Sequence, residues 1–151
     1  MEQELVSRSH IQTMTRVADW REAIRIAAQP LLDDGFIQES YVEAMIQTVL
    51  DLGTYIVLMP MVALPHARSD GRVNRDGMAV LKLEEPVYFD ERDDSSQAVL
   101  ILPIACTDDD GHLAMLGRVA EILGDEEVTQ QIINCNDADE IYRILSAPTQ
   151  E

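Results

Sequence analysis

Ala98-Val99-Leu100-Ile101-Leu102-Pro103-Ile104-Ala105 contains no charged side chain and no side chain that can hydrogen-bond. A strand with one wet face alternates apolar and polar residues, whereas an unbroken apolar run of this length reads as a strand buried on both faces. Ser95 and Ser96 precede the run, and Cys106 continues it. The thiol therefore reads as a small buried hydrophobe. Both faces of such a strand need a cover, and the sequence on either side supplies one.

Downstream, Thr107, Asp108, Asp109 and Asp110 form an acidic loop able to cap a helix from about His112 to Leu123. Leu113, Leu116, Ala120 and Leu123 give that helix a core-facing stripe, and Gly124 with Asp125 breaks it. A further helix is predicted near Glu126 to Asn134. Asp137 caps a last one that runs to about Leu145, before Pro148.

Upstream, Met78 to Leu83 is strand-like, and Val87 to Phe89 adds an edge. The charged stretch from His66 to Asp76, with Gly71, reads as a loop. Val62 to Leu64 is a short extended piece ended by Pro65, and Tyr55 to Leu58 one ended by Pro60. Before them lie two amphipathic helices. Asp19 can cap the first, from about Trp20 to Leu32, with Glu22 at the capping-box position and Ile24, Ala27, Ala28 and Leu31 on one face. Ser40 can cap the second, which carries Val42, Met45, Ile46 and Val49 and ends at Leu52 before Gly53. Helices, strands and helices in that order predict an α/β fold, a sheet covered by helices on both faces. The 151 residues fit one domain over 1–151, with a core of about 20–145 and residues 1–18 as an N-terminal extension.

Composition narrows the function classes. There are 28 acidic residues against 11 basic ones, a formal net charge of -17. Such a field repels nucleic acid and anionic membranes and favours a basic protein partner. It also serves plain solubility. Cys106 and Cys135 lack the spacing of a disulfide framework or a zinc motif. Residues 1–15 lack the apolar core of a signal peptide, and no run approaches the roughly 20 apolar residues of a membrane span. The expected location is the cytoplasm.

The chemistry concentrates in Val62-Ala63-Leu64-Pro65-His66-Ala67-Arg68. A short strand delivers a histidine immediately after a proline, whose fixed φ stiffens the approach. Strand ends followed by polar loops are where α/β proteins place ligands. A neutral imidazole is a competent nucleophile near pH 7 and can attack phosphorus. Phosphoryl transfer asks the protein for positioning and cationic or N–H partners. Arg68, Arg72 and Arg75 gather in the same loop, a local reversal of sign in an acidic chain. His112, opening a helix after three aspartates, is the second candidate. On spacing alone, either histidine also fits an ordinary loop or helix-start position, and the arginines could simply balance nearby acids. His10 is expected to be exposed. A zinc site from His66, His112 and Cys106 lacks the usual close ligand spacing. There is neither a Gly-x-Ser-x-Gly elbow nor a Walker-type loop, so any phosphate is expected to arrive on another protein.

Leu64-Pro65-His66-Ala67-Arg68, preceded by Gly53-Thr54-Tyr55-Ile56-Val57, resembles the mannitol/fructose-type IIA domains (EIIA type 2) of the phosphoenolpyruvate-dependent sugar phosphotransferase system. Ala63-Leu64-Pro65-His66-Ala67-Arg68, followed by Asp70-Gly71, is most similar to the ascorbate-type branch. Tyr41-Val42-Glu43-Ala44-Met45 and His112-Leu113 with Leu116 extend the resemblance from about Trp20 to Leu145. It implies a mixed β-sheet sandwiched between α-helices. It implies a phosphotransferase in which His66 accepts the phosphoryl group from HPr as a tele-phosphohistidine. The acceptor would be a IIB component serving a IIC permease, with ascorbate or a related sugar as cargo, and neither metal nor organic cofactor. His112 would match the second active-site histidine. The mannitol and fructose branches tend to carry an arginine in the helix corresponding to Tyr41 to Leu52. This chain has Gln47 and Thr48 there, which leaves Arg68 as the expected substitute. A regulatory module of the nitrogen-type IIA kind, acting by phosphorylation-controlled protein binding, is the alternative. Homodimerisation is left open.

Overall fold

The structure, a computed structural model, describes residues 6–146, apart from the side chains of Tyr55, Leu58, Asp109, Asp110 and His112. Helices α1 (Trp20–Asp33) and α2 (Glu39–Leu52) precede most of the strands, and α3 (Asp109–Leu123), α4 (Glu126–Ile133) and α5 (Ala138–Ser146) follow them. The strands are β1 (Ile11–Met14), β2 (Val57–Met59), β3 (Met61–Ala63), β4 (Gly77–Met78), β5 (Val80–Tyr88), β6 (Gln97–Ile101) and β7 (Ile104–Ala105). Five of them form a sheet in the order β1-β5-β6-β3-β2, and β4 pairs with β7 in a small second sheet. Because β1–β5 and β3–β6 are parallel while β5–β6 and β2–β3 are antiparallel, the main sheet is mixed.

All of Ala98 to Ala105 is buried. Side chains alternate across the sheet as the pleat requires. Ala63, Leu81, Leu83 and Ile101 join the core beneath α1 and α2, where Ile24, Leu31, Met45 and Ile46 sit. Val62, Val80, Leu100 and Leu102 join the opposite core, with Val119, Leu123, Ile132 and Ile141. The expected sandwich of helices around a sheet is therefore present. The run is not one strand, however. Pro103 cannot donate to a ladder, and the chain leaves the main sheet there to pair β7 with β4.

Local chemistry explains the helix starts. Asp19 caps α1, accepting from the Glu22 N–H at 2.9 Å, and Glu22 reaches back to the Ala18 N–H at 2.7 Å. Ser40 does not cap α2. Gln38 holds that position without a side-chain cap. It is tied instead by its own N–H to the Arg72 carbonyl and by its side-chain amide to the Gly71 carbonyl, both at 2.9 Å. The start of α2 is thus fastened to the loop that follows His66.

Residues 11–14 are not an extension beyond the core: β1 is an edge strand of the main sheet, parallel to β5. A proline accounts for part of its attachment. Pro30 lies inside α1 and has no N–H to give the Ile26 carbonyl one turn earlier. Gln12 of β1 fills that vacancy, donating its side-chain amide to the Ile26 carbonyl at 2.7 Å. His10 is buried, not exposed. Its Nε2 lies 2.6 Å from an Asp34 carboxylate oxygen, and its ring meets Phe36 edge-on at 5.1 Å. These partners come from the end of α1, beyond the reach of any local sequence pattern.

The Gln12 bond matters because of Pro30. Gln12→Leu leaves a partly buried carbonyl unpaired and should cost about 1 kcal/mol. In a Pro30→Ala background the helix supplies its own donor, so the same change should cost less. A double-mutant cycle by urea unfolding checks this, and equal costs in both backgrounds would refute the compensation.

Candidate functional site

The segment Leu64-Pro65-His66-Ala67 runs on from the end of β3 and is laced on several sides. The Leu64 N–H donates to the Ile56 carbonyl at 2.9 Å. The carbonyls of Ala63 and Pro65 accept from the N–H groups of Leu102 at 2.8 Å and Ile104 at 2.9 Å. Tyr41, buried on α2, completes the restraint. Its hydroxyl donates to the Ile104 carbonyl at 2.7 Å and accepts from the Ala67 N–H at 3.2 Å. The backbone around His66 therefore has little freedom.

Within this frame the imidazole has a defined tautomer. Nδ1 of His66 lies 2.7 Å from the Leu64 carbonyl oxygen. A carbonyl can only accept, so Nδ1 carries the proton, and in the neutral ring the lone pair sits on Nε2. The half-buried side chain opens onto a cleft of about 540 Å³. Gln47 and Thr48 of α2 form one wall, Arg68 and Arg72 another, and Cys106 and Asp108 a third.

The three loop arginines separate into different roles. Arg72 stitches its own loop, donating to the carbonyls of Arg68 at 2.9 Å and Ser69 at 3.3 Å and pairing with Asp70 at 3.3 Å. Asp70 and Gly71 turn that loop with φ of 43° and 78°, in the left-handed region that Asp tolerates and Gly favours. The Arg75 guanidinium stacks 4.4 Å from the Phe36 ring centroid, and Arg75 does not line the cleft. Arg68 is exposed in the cleft, and its guanidinium makes no hydrogen bond or ion pair among the described residues. It is the loop arginine left available to an incoming anion.

Cys106 is buried at the cleft wall. Its thiol is pushed up to about 12, first by burial and then by the charges of Asp76 and Asp108, so it stays protonated and is no nucleophile at neutral pH. Asp108 caps α3, accepting from the Gly111 N–H at 2.7 Å, and this brings the start of α3 to the cleft. His112 lies in the first turn of α3, and its side chain is outside the described residues. Among the described residues no group of three or more His, Cys, Asp or Glu could hold a metal ion, and no helix is long and apolar enough to cross a membrane.

Residues 4–147 match the family described as phosphoenolpyruvate-dependent sugar phosphotransferase system, EIIA 2. The chain belongs to this family. The mannitol-specific cryptic phosphotransferase enzyme IIA component of Escherichia coli is 31% identical over 138 residues, covering 91% of this chain and 92% of that protein. Its solution structure superposes with a TM-score of 0.86 at 30% identity, over 94% of this chain and 95% of that one. The ascorbate-specific PTS system EIIA component of Mycoplasma pneumoniae is 28% identical, over 84% of this chain and 79% of that protein. A complex of enzyme IIAMTL with phosphorylated enzyme IIBMTL from Escherichia coli aligns with a TM-score of 0.73 at 25% identity, over 93% of this chain and 96% of that one.

In this EIIA 2 chain the α2 wall of the cleft carries no cation. The Gln47 amide donates to Asp51 at 2.9 Å, and the Thr48 hydroxyl donates back to the Ala44 carbonyl at 2.7 Å. Two residues of the site went unassigned in the sequence. Tyr41 enters the sequence reading only as the first residue of Tyr41-Val42-Glu43-Ala44-Met45, and nothing local reveals where its hydroxyl points. Asp76 reads as a loop acid, yet it accepts from the Thr107 N–H at 2.7 Å and so holds the chain leading into α3.

Tyr41→Phe keeps the packing and removes the hydroxyl. It leaves the buried Ile104 carbonyl and the Ala67 N–H without that partner, at a cost of about 1–3 kcal/mol in chemical denaturation. An unchanged unfolding midpoint would show that the hydroxyl does not restrain the His66 segment.

Proposed function

We propose that this EIIA 2 chain is a phosphocarrier, in which Nε2 of His66 accepts a phosphoryl group from phospho-HPr and passes it to a IIB component. One observation carries the proposal: the Leu64 carbonyl occupies Nδ1 at 2.7 Å and leaves Nε2 as the nucleophilic nitrogen. The Nε2 lone pair forms the new N–P bond as the bond from phosphorus to the donor imidazole breaks. The electron pair of that bond returns to the donor ring. The proton stays on Nδ1, donated to the Leu64 carbonyl throughout, so His66 itself need not release one in the cleft. In the second transfer the IIB nucleophile attacks phosphorus, and the electrons of the N–P bond return to Nε2.

The transferring group spreads its charge over three oxygens and needs fixed positive partners. We assign that role to Arg68, in place of an arginine on α2. His112 is assigned as a second hydrogen-bonding partner, a role supported by its place in the first turn of a helix whose cap lines the cleft. The site requires no cofactor, and the whole chain acts as one domain in the cytoplasm with HPr. The cargo of the downstream permease is assigned as ascorbate or a related sugar. Support comes from Ala63-Leu64-Pro65-His66-Ala67-Arg68 with Asp70-Gly71, and from the likeness to an ascorbate-specific component.

Incubation with phosphoenolpyruvate, enzyme I and HPr should place an acid-labile, base-stable phosphoryl label on the wild type and none on His66→Ala. Equal labelling of the two would remove His66 from the role. Arg68→Ala should slow transfer on the order of a hundredfold, with partial recovery in Arg68→Lys. A wild-type rate in Arg68→Ala would exclude the substitution. Transfer only to a mannitol-type IIB protein would overturn the sugar assignment.

A further inference from the structure

Thr107 is the residue just before the cap of α3, and it is gripped on both sides. Its N–H donates to Oδ1 of Asp76 at 2.7 Å, and its carbonyl accepts from the Ser69 hydroxyl at 3.3 Å. Both partners belong to the loop that carries Arg68. Ser69 follows Arg68 and lines the His66 cleft, and Asp76 closes the loop where β4 begins. The place of β4 is itself fixed, because Gly77 pairs with Ala105 and Met78 with Ile104.

The second oxygen of Asp76 meets the helix itself. A helix start of the capping-box kind carries an acid or amide three residues after the cap, which reaches back to the backbone. In α3 the cap is Asp108, and the third residue after it is Gly111, which has no side chain. A Cβ at Gly111 would meet Oδ2 of Asp76 at 2.5 Å and Oδ1 of Asp108 at 3.2 Å. Asp76 thus occupies the space of the absent side chain and delivers a carboxylate from another segment, 31 residues before the N–H it accepts. Negative charge there suits the positive end of α3. His112 is the next residue after Gly111. The Asp76–Thr107 bond is exposed and adds little to global stability. What it fixes is the placement of one segment against another.

We propose that Asp76 is a positioning residue for phosphoryl transfer: by clamping Thr107 and filling the space at Gly111, it holds the first turn of α3, and with it His112, in a fixed place relative to the loop that carries Arg68. This rests on the phosphocarrier assignment and adds what keeps the two phosphoryl partners in register. Stabilisation by fixed groups falls steeply when one of them shifts by about 1 Å. Asp76 touches no reacting atom, and its effect passes through His112.

The test uses the full chain with phosphoenolpyruvate, enzyme I and HPr. Asp76→Ala should lower kcat roughly tenfold and leave the KM for phospho-HPr near wild type. Asp76→Asn keeps an oxygen acceptor for Thr107 and should recover most of the rate. In a His112→Ala background, Asp76→Ala should cost less than about twofold, because the group it positions is gone. A purely structural role would cost the same in both backgrounds, and that result overturns the proposal. So does a wild-type kcat in Asp76→Ala. Should Asp76→Ala fail to fold, Gly111→Ala carries the same comparison, since its Cβ displaces the carboxylate and leaves every other side chain in the sequence. Amide hydrogen exchange reads the clamp without activity. Thr107 should exchange roughly tenfold faster in Asp76→Ala, and an unchanged rate refutes the clamp. Failure of the wild type to label would instead bring down the His66 assignment, and Thr107 exchange would still decide the clamp.

Discussion

The Tyr41 hydroxyl, buried between α2 and the end of the main sheet, is the interaction on which the site depends. By donating to Ile104 and accepting from Ala67 it joins three parts of the chain that are far apart in sequence. A hydroxyl with both capacities used in a dry setting is a rigid connector, because leaving either partner unpaired there is costly. Pro65 stiffens the chain just before the anchored Ala67. His66 lies between these two restraints, and the Leu64 carbonyl then selects its tautomer. Orientation of the ring and the choice of its nucleophilic nitrogen thus come from a backbone carbonyl.

The same economy governs the anion side of the cleft. A loop holding three arginines looks like a basic patch, but most of that charge is spent internally. Arg72 closes its own turn and Arg75 covers Phe36, so that Arg68 remains. Gln47 is tied to Asp51 and Thr48 to the Ala44 carbonyl, and neither contributes charge. The cleft is consequently mildly cationic at one point within a strongly acidic molecule. Arg68 thus presents one positive charge to the cleft of a strongly acidic chain.

The fold and the site are also mechanically continuous. Gln38, at the start of α2, holds the carbonyls of Gly71 and Arg72, so the loop after His66 and the helix carrying Tyr41 move as one piece. Asp76 fixes Thr107, and Asp108 caps α3, which brings a helix N-terminus to the cleft. The N-terminal strand is bound in through the Ile26 carbonyl that Pro30 leaves open.

Periodicity and local chemistry in the sequence alone determined the helices, the doubly buried run around Leu100, the Asp19 cap and the candidacy of His66. All of these are encoded within a few residues, by spacing, capping groups and proline geometry. The sequence resemblance added the mixed sheet and the family. What only the tertiary structure decided were relations between distant segments. They include the burial of His10 against Asp34, the incorporation of β1 into the sheet, the break at Pro103 and the shift of the α2 start from Ser40. The sorting of Arg68 from Arg72 and Arg75, and the role of Tyr41, belong to the same group. Each depends on which donor meets which acceptor across the core, and hydrogen-bond partners tens of residues apart leave no periodic trace in a single chain.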